Sequence, residues 1–140
     1  MRRRARILAA ALALALAPAC RRTGPAETYR AFVAAAREGD EAAVWSMLSA
    51  GSRAALDARA RAVAARAGNA VPATGRMLLA GDSAIRAPHV RSVVVRAESA
   101  DQAVVAVATE DGAEREARLV REGGAWRVVL PELAAQPGTP

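Results

Sequence analysis

The side chains in this chain that could do chemistry are few: one cysteine, one histidine, one tyrosine and two tryptophans. Cys20 is a lone thiol with no internal disulfide partner, and it directly follows Ala17-Pro18-Ala19. His89 follows Pro88 and is the candidate general base, although a solitary loop histidine is more often simply solvated. Asp82, in Gly81-Asp82-Ser83, is either a base at a pocket mouth or a turn-forming carboxylate. Tyr29 can point its hydroxyl into a pocket or lie in a core with its tip hydrogen-bonded. Trp45 and Trp126 can line a ligand site or pack inside. These five residues, Tyr29, Trp45, Asp82, His89 and Trp126, are the candidate pocket residues.

No catalytic constellation forms around them. Ser46, Ser49 and Ser52 have no nucleophile-elbow context, and His89 has no carboxylate partner recognisable in sequence. One histidine and one cysteine are too few for a conventional zinc site, and no glycine-rich phosphate loop is present. The acidic run Glu110-Asp111-Gly112-Ala113-Glu114 reads as a solvated hairpin tip rather than a calcium loop. No cofactor and no metal are expected.

The elements that would position these residues follow from periodicity. Gly24 and Pro25 open a first helix, Tyr29, Phe32, Val33 and Ala36 mark its apolar face, and Gly39 ends it. Asp40 caps a second helix over residues 41–50, which Gly51-Ser52 stops. A third helix over 53–67 is mostly Ala and Arg. Leu56 and Val63 are its only large apolar residues, which predicts a narrow packing face at a rim. Residues 71–90 read as irregular, with one short helical turn at 76–80. Beyond them the period changes to two, predicting strands over 92–98, 103–109, 114–121 and 125–130. Val93, Val95 and Ala97 share one face of the first, and Trp126, Val128 and Leu130 one face of the last. Asp111-Gly112 and Gly123-Gly124 mark hairpins. Helices followed by an antiparallel meander predict an α+β domain, with three N-terminal helices packed on a curved four-stranded sheet.

The N-terminus reads differently. Arg2, Arg3, Arg4 and Arg6 precede an apolar run from Ile7 to Ala17. As a helix that run is about 16 Å long, short of the roughly 30 Å a membrane span must cross. It has the length of a signal-peptide core followed by a small-residue cleavage pattern. Leu16-Ala17-Pro18-Ala19-Cys20 resembles a lipobox, the processing motif of bacterial lipoproteins, with Ala17 where that family usually carries Leu. The resemblance implies that Cys20 becomes the lipidated first residue. It also implies an exported protein anchored in the cell envelope, with Arg21 compatible with the outer membrane, facing the periplasm or the cell surface. The expected layout is a signal peptide over 1–19, a tether over 20–25, the α+β domain over 26–133 and a disordered tail over 134–140.

The chain carries a formal charge of +6. Four of its twenty basic residues leave with the signal, which leaves sixteen against fourteen carboxylates. That balance, with no aromatics interleaved among the arginines, argues against a nucleic-acid partner.

Thr28-Tyr29-Arg30-Ala31-Phe32-Val33, with Arg37-Glu38-Gly39-Asp40, is similar to the opening of the nuclear-transport-factor-2-like superfamily. Residues 119–128, from Leu119 to Val128, are similar to its closing hairpin. The resemblance implies a cone-like fold, three helices wrapped by a bent sheet, often with a pocket at the open end. That superfamily holds isomerases and dehydratases as well as non-enzymes, and fold alone does not choose between them. The expectation is a non-catalytic, membrane-anchored domain that binds a protein partner or a small apolar ligand. The rivals are an enzyme of isomerase or hydratase type and a structural subunit of an envelope complex.

Overall fold

The computed structural model describes residues 23–68, 74–81 and 87–130. The signal segment, Cys20, Asp82 and the C-terminal tail lie outside the described residues. The order is α1 (Pro25–Glu38), α2 (Glu41–Met47), α3 (Ala50–Arg66), α4 (Gly75–Gly81), then β1 (Val90–Glu98), β2 (Gln102–Thr109), β3 (Glu114–Glu122) and β4 (Ala125–Val129). The strands form one antiparallel meander in the order β1-β2-β3-β4. The helices-then-sheet α+β architecture predicted by periodicity is the one observed.

Local chemistry sets the start and end of α1. The Gly24 N–H donates to Glu27 Oε2 at 2.9 Å, Pro25 takes the first helical position, and Gly39 closes the helix. Phe32, Val33 and Ala35 are buried and join the core. They meet an inner sheet face whose residues alternate as a half-buried sheet requires: Val105 and Val107 on β2, Leu119 on β3, Trp126 and Val128 on β4. The Arg121 guanidinium lies 4.5 Å from the Trp126 ring centroid, covering that ring at the end of the core.

The break between α2 and α3 falls earlier than Gly51-Ser52. Leu48 leaves helical geometry for an extended conformation (φ −74°, ψ 148°) and forms a parallel bridge with Val128. Ser49 becomes the N-cap of α3, its Oγ accepting from the Ser52 N–H at 3.1 Å. Nothing in Met47-Leu48-Ser49 is a strong helix breaker; the bare edge of β4 competes for Leu48 and wins. On α3, Ser52, Leu56, Ala60 and Ala64 form the buried stripe, whereas Val63 is exposed. The small residues let α4 come close. Gly75 sits so near α3 that a Cβ there would fall 2.6 Å from the Asp57 nitrogen, and its N–H donates to Asp57 Oδ1 at 2.7 Å. Where one helical turn was predicted, α4 forms a two-turn helix packed on α3.

β1 also departs from strict alternation. Its register against β2 slips by one residue at Arg91 and again at Arg96, two β-bulges in nine residues. Val93 is buried as expected, but Val95 and Ala97 are exposed. They flank the second bulge, and Val95 is open although it pairs with the buried Val105.

Candidate functional site

Among the surface clefts lined by the described residues, one of about 760 Å³ gathers the polar chemistry. Its walls come from three elements: Ala36 and Arg37 in the last turn of α1, Ala87 to His89 leading into β1, and Thr109 to Asp111 leaving β2. Strand pairing creates the juxtaposition. Val90 stands opposite Thr109, and the Glu110 N–H donates to the His89 carbonyl at 2.8 Å. The two side chains therefore stand together, with His89 Nδ1 3.8 Å from Glu110 Oε2.

Asp111 is committed to the turn. Its Oδ1 accepts from the Thr109 hydroxyl and from the Ala113 N–H, the latter at 3.2 Å. These bonds, the hydroxyl foremost, hold its carboxyl below its ordinary range. The turn closes with Thr109 N–H to Ala113 carbonyl at 2.9 Å and Gly112 N–H to Thr109 carbonyl at 3.1 Å, and Gly112 takes the left-handed position (φ 87°). The acidic run is thus the hairpin tip its sequence suggested.

Chemically, the cleft presents one imidazole, one guanidinium and two carboxylates, one of them, Asp111, tied to the turn. The His89–Glu110 separation exceeds hydrogen-bond length. Both side chains are about two-thirds exposed (63% and 67%), so the pair contributes little to stability. Among the described residues, no third group fixes the imidazole, and no group of three or more metal-ligating side chains occurs. The arrangement can hold a polar ligand by charge, but it does not align a base with a nucleophile.

The other candidates lie elsewhere. Tyr29 is half-buried beside Phe32, ring centroids 6.1 Å apart, and burial raises its hydroxyl pKa against an opposing pull from Arg115. Trp45 packs partly buried against the core, and Trp126 is inside it. None of the three lines a described cleft, so the structure does not bring them together with His89. Glu110 and Arg37 are the cleft residues that the sequence reading missed. Glu110 was not legible from the strands expected over 92–98 and 103–109: the two bulges of β1 shift the register by two residues, and that shift brings residue 89 opposite 110. Arg37 carried no signal either, because its place depends on how α1 crosses the sheet.

A second groove, about 220 Å³, continues from the first along the seam between α1 and β1, sharing Arg37 and adding Arg30, Val33, Ala34 and Val90 to Ser92. The third cleft, about 390 Å³, lies where α3 meets β4. No protein-family model, curated protein or solved structure matches this chain.

Proposed function

We propose that the chain is an exported bacterial lipoprotein, anchored in the cell envelope through Cys20, whose α+β domain is a non-catalytic, cone-like member of the nuclear-transport-factor-2-like type that binds a protein partner. One observation carries this reading. The space between α1 and the sheet is filled by Phe32, Val33, Val93, Val107, Leu119 and Trp126, packed as one core with Leu48 and Val105 fully buried. A domain with its interior occupied by its own side chains offers its surface to a partner, whereas a ligand carrier or an isomerase needs an open, polar-lined pocket. The same observation makes a protein partner the better occupant than a small apolar ligand. The isomerase or hydratase alternative would rest on His89, which is exposed and unfixed.

Two measurements test the reading. Titration with a long-chain fatty acid, followed by tryptophan fluorescence, is expected to give no saturable change. Saturable quenching would replace the filled interior with a ligand cavity. The anchor is tested by Cys20→Ser and membrane fractionation: the variant is expected in the soluble fraction, and normal processing with retention in the membrane would refute lipidation.

A further inference from the structure

β1 is an edge strand, and ladder geometry identifies which of its backbone groups are free. Residues in an antiparallel strand alternate between turning N–H and C=O toward one neighbour and toward the other side. The Thr109 N–H bonds Ala113 across the β2–β3 hairpin, so odd-numbered β2 residues turn toward β3. Even-numbered ones turn toward β1, as the Glu110 N–H does. Val94 stands opposite Ala106 and Ser92 opposite Ala108, so the outward-turned groups of β1 belong to Val93 and Val95.

One of those groups already has a stand-in partner. Arg30 Nη2, from α1, donates to the Val93 carbonyl at 2.7 Å. Among the described residues, the Val93 N–H and both Val95 groups have no partner. Val94 and Val95 are 54% and 38% exposed. Bare strand edges are usually blunted by bulges and charge, and this one carries both. Its two bulged positions are Arg91 and Arg96.

The charge around the edge is of one sign along most of its length. Arg30 and Arg37 line the groove beside it with Arg91, over an apolar floor of Val33 and Val90. Arg96 stands beyond Val95. Among the described residues, carboxylates stand at the ends of the strand: Glu98 lies 4.0 Å from Arg121, and Glu110 faces His89. A second copy pairing here would set its own Arg91 and Arg96 against these arginines, and like charges across a strand pair are destabilising. An acidic strand would be attracted to the same place.

We propose that the free edge of β1 accepts an extended, acidic segment of a protein partner as a fifth strand. The backbone groups of Val93 and Val95 supply the ladder, Val94 and Val95 the apolar contact, and Arg37, Arg91 and Arg96 the charge selection. Strand addition of this kind draws affinity from the main chain and specificity from flanking side chains. The proposal rests on the partner-binding reading above and names its surface.

The test uses the purified full-length chain and a fluorescent peptide of about eight residues, a typical strand length, alternating Glu and Val, against a Lys-Val counterpart. The acidic peptide is expected to bind, more weakly as salt rises, and the lysine peptide not to bind. Val95→Pro deletes an outward N–H at an edge position where proline is tolerated, and is expected to weaken binding about tenfold or more, a loss of about 1.4 kcal/mol. Arg37→Glu is expected to weaken it comparably. If Val95→Pro fails to fold, amide exchange on the unaltered chain decides: the acidic peptide should slow exchange at Val93 and Val95.

Equal binding of the lysine peptide, unchanged binding by a folded Val95→Pro variant, or no slowing at those amides overturns the proposal. So does self-association that Val95→Pro abolishes, which makes the occupant a second copy. Binding to phosphatidylglycerol vesicles that needs the arginines but not Val95 makes it a lipid surface and also overturns it. Any of these removes the β1 surface while leaving the filled interior intact; saturable fatty-acid quenching would instead remove the partner-binding reading itself.

Discussion

At the β4 edge of the sheet, the Val128 carbonyl accepts from the Ser49 N–H at 2.9 Å, and the Leu130 N–H donates to Ser52 Oγ at 3.0 Å. Arg127 reaches the Ser46 carbonyl at the end of α2, at 2.7 Å. Both Glu122 carboxylate oxygens take the Ala50 N–H at the start of α3, at 3.0 and 3.1 Å. A cation at a helix C-terminus and an anion at an N-terminus both complement the helix dipole. At the β1 edge, one arginine side chain meets one carbonyl. Valines and arginines occupy both strands, so composition does not explain the contrast. The chain leaving α2 has to pass β4 and pairs with it on the way. Among the described residues, nothing comparable passes β1, and the strand is left with bulges and charge.

The contrast is broken most easily at Leu48, the fully buried residue that bridges to Val128. Leu48→Ala is expected to cost about 2–5 kcal/mol in urea unfolding, whereas Val94→Ala on β1 is expected to cost under about 1 kcal/mol. Similar losses at both sites would mean the edges are equally integral to the fold. Ser52→Ala comes next. It leaves the Leu130 N–H without its acceptor and Ser49 without its partner hydroxyl, for an expected loss of about 1–2 kcal/mol by the same measurement. Glu122→Gln is smaller, about 0.5 kcal/mol, and its effect should shrink as salt rises.

The smallest effects are in pH dependence. The Tyr29 hydroxyl has a raised pKa, chiefly from burial. The folded state therefore holds its proton more tightly than the unfolded chain. That stability is present below about pH 10 and is lost as pH rises through the folded value. Tyr29→Phe should flatten the alkaline limb of the stability profile. Asp111 is the opposite case: its carboxyl is lowered, first by the Thr109 hydroxyl. Its contribution is present above its unfolded value and is lost as pH falls through the folded one. Asp111→Asn should flatten the acid limb, measured by the same unfolding series.

Much of this architecture could be read from the residues. The Gly24-Pro25 start, the Gly39-Asp40 break and the Asp111-Gly112 hairpin are local signals, and their chemistry reappears in the caps and turns observed. The misplaced features are all tertiary. Leu48 left its helix because an edge strand lay beside it, and Val63 turned outward because Ala60 and Ala64 formed the closer-packing stripe. Val95 is open at the sheet edge although it pairs with the buried Val105, and the bulge beside it at Arg96 is a feature no alternation pattern encodes. For the site, His89 stood out by its chemistry, whereas Glu110 reaches it only through the two register shifts of β1. Arg30 and Arg37 carry no signal of their own in the sequence, because their place in the groove depends on how α1 lies along β1.

Residue-resolved amide hydrogen exchange on the full chain without peptide tests the difference between the edges most directly. The expected result is slow exchange at Ser49 and Leu130, whose N–H groups are bonded across the β4 edge, with fast exchange at Val93 and Val95. Protection at Val93 and Val95 equal to that at Ser49 and Leu130 would mean that β1 is already closed, and would contradict the claim that this edge is open for a partner.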